Sequence, residues 1–475
     1  MPKRLNKPTS VLPLIIFRVV FGILMFVSTV RFITSGWIDA FYLQPDFHFT
    51  YYGFSWIKPA PGVWLYIVYG IIALLSLNIA FGLAYRFSMT AFFLLFTYTE
   101  LLDKTYYLNH YYFISVLSFL LIFLPLHRRF SLDTVINPKL KTDVAPTWTI
   151  WAIRLQLGLV YVFAGIAKLN TDWLLNALPL KIWLNVRTDL PLIGWLFDYS
   201  WTAHLMSWTG AVYDLTIVFL LLYRPTRMLA YLAVIGFHLM TGFLFPIGMF
   251  PYIMIACTLI FFSAEDWLWL QKSALGQKAK QLFEKIGQWL KLNEKMNREA
   301  HEERKELWLF FKNLSFLRAF YNSIQRPLVL ILLVVFFALQ ICLPLRHWLY
   351  PGNVMWTEEG YRFAWKVMLV EKTGHVTFIV TDPSEGQSWS VFPGDYLTYQ
   401  QEKQMAFQPD MILAFAHHLE QQFKAQGHNE IEIRAEAYVS LNGRPSQLLI
   451  DPTIDLTTLS QTLFPKPWIR TPSDL

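Results

Sequence analysis

Nine stretches of mostly apolar residues run along the chain, at 13–34, 62–84, 88–103, 110–126, 147–168, 205–223, 227–245, 250–263 and 327–346. A bilayer's hydrocarbon core takes about 17–25 helical residues. The pattern therefore predicts a polytopic α-helical membrane protein of about nine transmembrane helices. The third and eighth stretches are short, and Asp214 interrupts the sixth. The first follows MPKRLNKP and imitates a signal peptide, but its apolar run continues to Val30 with no small-residue cleavage site behind it. It reads as an uncleaved span.

Between the eighth and ninth stretches the chain turns polar. Leu282, Phe283, Ile286, Trp289 and Leu290 recur there at helical spacing, with Lys285 and Gln288 between them. That pattern suits an amphipathic helix on the membrane surface, and equally a soluble helical hairpin. After Gly352 the period changes again. HVTFIVTD and QSWSVFPG alternate around Pro383–Gly386, and EIEIRAEAYVSL and PSQLLIDP flank Asn442–Gly443. Asn-Gly between alternating runs signals a hairpin, because both residues tolerate positive φ. A helical period in Met411, Ile412, Phe415, Leu419 and Phe423 lies between the two hairpins. The expected organisation is spans one to eight in 1–263, a linker in 264–326, the last span in 327–346 and a C-terminal α+β domain in 347–475.

Composition agrees: 55% of the 475 residues are hydrophobic and 15% charged, against roughly 25% charged in soluble domains. The net charge of +7 comes from lysines and arginines grouped between spans. Nucleic acid is not an expected partner; the bilayer is. Basic residues favour the cytoplasmic side. Placing Lys3, Arg4 and Lys7 there also places Arg86, His127–Arg129, Arg224 and Arg227 in the cytoplasm. The C-terminal domain is then extracytoplasmic, and the expected location is the plasma membrane. The two cysteines, Cys257 and Cys342, lie in apolar runs, and neither a metal site nor a disulfide is expected of them.

Charges inside spans are costly and usually pair or line a cavity. Here they include Arg18, Arg31, Glu100, Arg154, Asp214 and, among polar residues, Gln156 and His238. Arg154 and Asp214 are a candidate structural pair. His238 precedes the Pro-Gly break in GFHLMTGFLFPIGMF, which suits either a packing role or a cavity wall. The most informative stretch is YVFAGIAKLNTDW, where a membrane helix runs into the single lysine Lys168. The topology puts His110, first residue of the fourth span, on the same side. A desolvated lysine beside a histidine is a competent base. Equally, Lys168 snorkels to head groups and His110 sits among interfacial aromatics.

LLDKTYYLNHYYF, YVFAGIAKLNTDW, LFPIGMFPYIM and VSLNGRPSQLLIDPTIDL together resemble, in order, the vitamin K-dependent γ-glutamyl carboxylase family. The resemblance runs from about Arg18 to Asp455. It implies that Lys168 is the base that deprotonates reduced vitamin K (phylloquinol or menaquinol) and that His110, beside Asn109, assists. It implies O2 and CO2 as co-substrates, no metal, and a strong base formed by oxygenation. That base removes a glutamate γ-proton, CO2 adds, and the vitamin leaves as its epoxide. A glutamate-containing protein or peptide is the implied partner. Tyr361 and Trp365, in EEGYRFAWKVM, resemble the family's aromatic segment, and with Asn109 and His238 they are expected to contact the cofactor. Ala167 replaces the first of two adjacent lysines of the animal enzymes, and the cysteines of their luminal disulfide have no counterpart, which suggests a bacterial homologue. Two alternatives stay open: a quinol epoxidase with another acceptor, and a transporter or receptor in which Lys168 and His110 bind a ligand.

Overall fold

The computed structural model describes residues 5–267 and 328–472, with positions 277, 281, 285 and 288 between them. The amphipathic pattern expected over 268–325 lies outside the described residues but for those single positions. Each of the nine apolar stretches holds a helix. They are α1 Leu12–Thr34, α2 Val63–Phe81, α3 Tyr85–Leu101, α4 Asn109–Ile122, α5 Trp148–Ala167, α6 Ser200–Leu222, α7 Arg227–Leu244, α8 Phe250–Thr258 and α9 Leu328–Leu349. Among the described residues six of these, α1, α2, α5, α6, α7 and α9, are long and apolar enough to cross a membrane. The 14 residues of α4 and 9 of α8 are too few to cross a ~30 Å core alone at 1.5 Å per residue.

Some of the intramembrane polarity is satisfied within the bundle, where lipid offers no hydrogen bonds. Arg18, fully buried on α1, donates to the carbonyls of Leu126 and Phe130. These close the loop after α4, so the guanidinium ties that loop to the start of α1.

The loops segregate to two faces. On one, β1 (Pro8–Ser10) pairs with β2 (Val144–Pro146), and Arg224 and Arg227 meet Glu265 and Asp266 at 2.6 and 2.9 Å. On the other, the loops before α2 and α4 and after α5 meet the C-terminal domain. There Gln401 donates to the Phe47 carbonyl, Lys104 pairs with Asp410 at 2.7 Å, and Arg444 grips Asp172 with bonds of 2.6 and 2.8 Å. This is the loop grouping that the basic residues imply.

In the C-terminal domain β3 (Lys372–Asp382), β4 (Gln387–Val391), β5 (Glu432–Leu441) and β6 (Gln447–Leu448) form an antiparallel sheet in the order β4-β3-β5-β6. Between the hairpins lie α10 (Tyr399–Met405) and α11 (Pro409–Ala425). Strand alternation turns Ile433, Ala435, Ala437 and Val439 inward to form one core with Met411, Phe415 and Leu419 of α11. Each large side chain so buried contributes about 1.5–3 kcal/mol. Asn442 and Gly443 take φ of 53° and 76°, the left-handed pair expected of the second hairpin. Its return arm is only Gln447–Leu448, shorter than the alternation suggests. Arg444 leaves the turn instead to hold Asp172.

Candidate active site

Lys168 is the C-cap of α5, its N–H bonded to the Gly165 carbonyl at 3.0 Å. The chain leaves the helix sharply because Asn170 starts a new turn, its side chain accepting the Trp173 N–H at 2.9 Å. Side chains on a helix lean toward its N-terminus, and Lys168 does so: Nζ reaches back to the Ala164 carbonyl at 3.4 Å. Nζ also donates to Asp214 Oδ2 of α6 at 2.8 Å and lies 5.3 Å from the centre of the Trp173 ring. With 6% exposure the lysine turns inward rather than snorkelling. Gly165 makes this meeting possible. A Cβ there would stand 2.8–3.0 Å from three atoms of Leu215, next to Asp214, so only glycine lets α5 and α6 approach so closely.

The pair forms part of the wall of a cavity of about 290 Å³. Trp173, Leu180, Phe237, Phe245, Phe250 and Met254 supply apolar wall, and Tyr161 and His238 add polar atoms. His238 is 1% exposed; Nε2 bonds the Tyr161 hydroxyl at 3.0 Å, and Nδ1 has no hydrogen-bond partner among the described residues. A buried, unpaired ring nitrogen beside a cavity is costly unless a ligand completes it.

The other expected residues sort themselves around this cavity. His110 is off the cavity wall but packs on Phe250, which also packs on His238, with ring centres 5.8 Å and 5.6 Å away. No hydrogen bond joins His110 to Lys168 among the described residues. Asn109 accepts from the Tyr107 hydroxyl and donates to the Lys366 carbonyl, both at 3.1 Å, so it holds the 358–368 segment rather than lining the cavity. Trp365 is 1% exposed and packs on Tyr112 at 4.9 Å, and Tyr361 is also off the cavity wall. Their neighbours Val367 and Met368 line it instead.

Arg154 and Asp214 are not a pair. Arg154 donates through Nε and Nη2 to the carbonyls of Ile260 and Phe261, each at 3.0 Å. The reason is depth. Arg154 and Lys168 are separated by roughly 21 Å along α5 at 1.5 Å per residue, and Asp214 lies at the lysine's level.

A second cavity, about 350 Å³, lies where the C-terminal domain meets the membrane helices. Tyr51, Tyr52, Phe54, Tyr350 and Phe363 make its aromatic surface, and its charges are Lys104, Arg346, Arg362, Lys466, Glu358, Glu359 and Asp410. Each carboxylate is already paired: Glu358 with Lys372, Glu359 with Lys466, and Asp410 with both Lys104 and Arg362. Burial opposes ionisation of Asp410, but Arg362 and Lys104 hold its carboxyl well below the usual range. Arg346 has no carboxylate partner among the described residues; its Nη2 donates to the Arg362 carbonyl at 2.7 Å. The cavity thus carries surplus positive charge. One segment links the two sites: Glu358–Phe363 line this cavity, apart from Tyr361, and Val367 and Met368 line the other.

The family model for the HTTM domain matches residues 6–267, more than half the chain, and that for the vitamin K-dependent gamma-carboxylase lumenal domain matches residues 325–474. The chain belongs to the vitamin K-dependent γ-carboxylase family. The boundary between the two matches falls across the polar linker, so α1–α8 of this carboxylase-family protein lie in the first match, and α9 with the α+β domain lies in the second. No solved structure matches the chain. Sequence reasoning singled out Lys168 and His238 but missed Asp214 as the lysine's partner, and missed Arg346. Asp214 was legible as an intramembrane charge; its partner depended on helix depth.

Proposed function

We propose that this carboxylase-family protein is a glutamyl carboxylase that uses reduced vitamin K (phylloquinol or menaquinol), O2 and CO2, with Lys168 as the base. The single observation carrying the reading is the Lys168–Asp214 pair at 2.8 Å in the wall of a largely apolar cavity. An apolar space with an amine and an unpaired His238 Nδ1 on its walls fits an aromatic ring bearing oxygens. When bound, the quinol supplies through oxygenation the base strength that a glutamate γ-proton requires.

The chain's own residues do the rest. Asp214 Oδ2, 2.8 Å from Nζ, is placed to take the lysine's proton. With the proton on Asp214, Lys168 presents a neutral amine that accepts a proton from a hydroxyl in the cavity. Asp214 thus sets both the amine's position and its readiness. His238, held by Tyr161, offers Nδ1 to a second oxygen. The apolar walls exclude water, which would otherwise quench a strong base. His110, which packs on the same Phe250 ring, is assigned the assisting role. The positively charged second cavity supports an acidic peptide as the partner, with Arg346, which has no carboxylate partner among the described residues, facing its carboxylate.

Purified protein in detergent, given reduced vitamin K and O2, is expected to form the epoxide. Carbon-14 bicarbonate with a glutamate peptide is expected to label the peptide. Epoxide without label would retire the carboxylase reading in favour of an epoxidase; neither product would retire both.

A further inference from the structure

We infer that the lysine cavity opens sideways into the bilayer between α6 and α7, and that this opening passes the prenyl tail of the bound quinol. The inference rests on the quinol reading above. The cavity is graded from a buried polar end to an exposed apolar end. Lys168 and His238 are 6% and 1% exposed, while Leu205 of α6 and Met240 of α7, lining the same cavity, are 57% and 41% exposed. Thr209, also lining it, is exposed as well. Exposed surface on a membrane helix faces lipid, and only 28% of the apolar window of α7 is buried.

The depth is right for lipid rather than water. Leu205 and Thr209 lie five and nine residues into α6, about 8 and 14 Å along the axis at 1.5 Å per residue. An opening at that level admits an apolar chain without admitting water, which the chemistry needs kept out. Size argues the same way. Sites that bury whole drug-sized ligands span roughly 300–1,000 Å³, and this cavity, at about 290 Å³, takes a bicyclic ring but not a ring with a long chain. The chain must leave, and the exposed end is where Met206 and Met240 offer adaptable thioether walls.

The test compares two quinones with the full-length protein in lipid nanodiscs: phylloquinone, with its tail, and menadione, which has the same ring and no tail. Equilibrium binding of each radiolabelled compound is measured for wild type, Thr209→Trp, Met240→Trp and, as a control, Val212→Trp. Val212 is 54% exposed on α6 and does not line the cavity. The expected result is that Trp at 209 or 240 weakens phylloquinone roughly tenfold or more, the loss of a few buried methylenes, while menadione changes less than twofold; Val212→Trp changes neither. Equal loss of both compounds would mean that these residues shape the ring site, and no loss of either would mean that the tail leaves elsewhere; both results overturn the portal. Wild type that binds neither compound would instead remove the quinol reading, and the portal with it.

Discussion

The Lys168–Asp214 pair yields a quantitative prediction. Nζ and Oδ2 are 2.8 Å apart, and the side chains are only 7% and 9% exposed. At an effective dielectric constant of ~20, charges at that distance attract by about 6 kcal/mol before either ion's desolvation is subtracted. Desolvation takes back most of that, so the pair's net contribution is small, but removing one partner strands the other. Lys168→Met alone and Asp214→Val alone should each destabilise the protein by about 3–5 kcal/mol. Lys168→Met with Asp214→Val should recover most of the loss, because an apolar pair suits the site. The assay is a double-mutant cycle on unfolding of the detergent-solubilised protein, followed by tryptophan fluorescence. Losses that simply add in the double variant would refute the pairing, and with it the account of how the amine is held.

Further outcomes follow from the same geometry. His110→Ala should slow epoxide formation by roughly 10²–10⁴ with little change in quinone binding; an unchanged rate would remove His110 from the chemistry. Arg346→Gln should raise the KM for a glutamate peptide by roughly 10–100-fold, the worth of one charged hydrogen bond, while peptide-free epoxide formation persists; an unchanged KM would leave the second cavity without its assigned ligand. The Asp172 carboxyl is held below its usual range by Arg444, against the opposing effect of burial, with Asn442 and Asn176 assisting. A depressed carboxyl stabilises fully above its unfolded value of ~3.9 and loses that contribution as pH falls through the lower folded value. Limited proteolysis should therefore find the C-terminal domain equally docked at pH 7 and pH 5. Release should begin only below about pH 4, and Arg444→Met should abolish this step.

Much of this architecture was legible because the bilayer imposes one rule on every span. Nine apolar stretches became nine helices, and loop charges sorted the loops onto the faces they occupy. Lys168 stood out for the same reason: a lone ammonium after an apolar helix must find a partner or reach water. What the sequence could not carry was depth and rotation. Arg154 and Asp214 looked complementary, yet the level at which α6 passes α5 assigns Asp214 to Lys168. Tyr361 and Trp365 lie on the segment that reaches the cavity without lining it; Val367 and Met368 line it, in a stretch where Phe363, Trp365 and Met368 take positive φ. That both His110 and His238 pack on Phe250 is likewise a packing outcome. The hairpin at Asn442–Gly443 was readable locally, whereas the use of Arg444 to clamp Asp172, across 272 residues of sequence, was not.

The role of Lys168 as the base is decided by measuring epoxide formed from reduced vitamin K and O2 by wild type and Lys168→Ala side by side in the same membranes. Because Ala167 precedes it, no adjacent lysine stands ready to substitute. Wild type should form the epoxide and the variant none above background, at equal expression and membrane insertion. Turnover in Lys168→Ala at the wild-type rate would contradict that role.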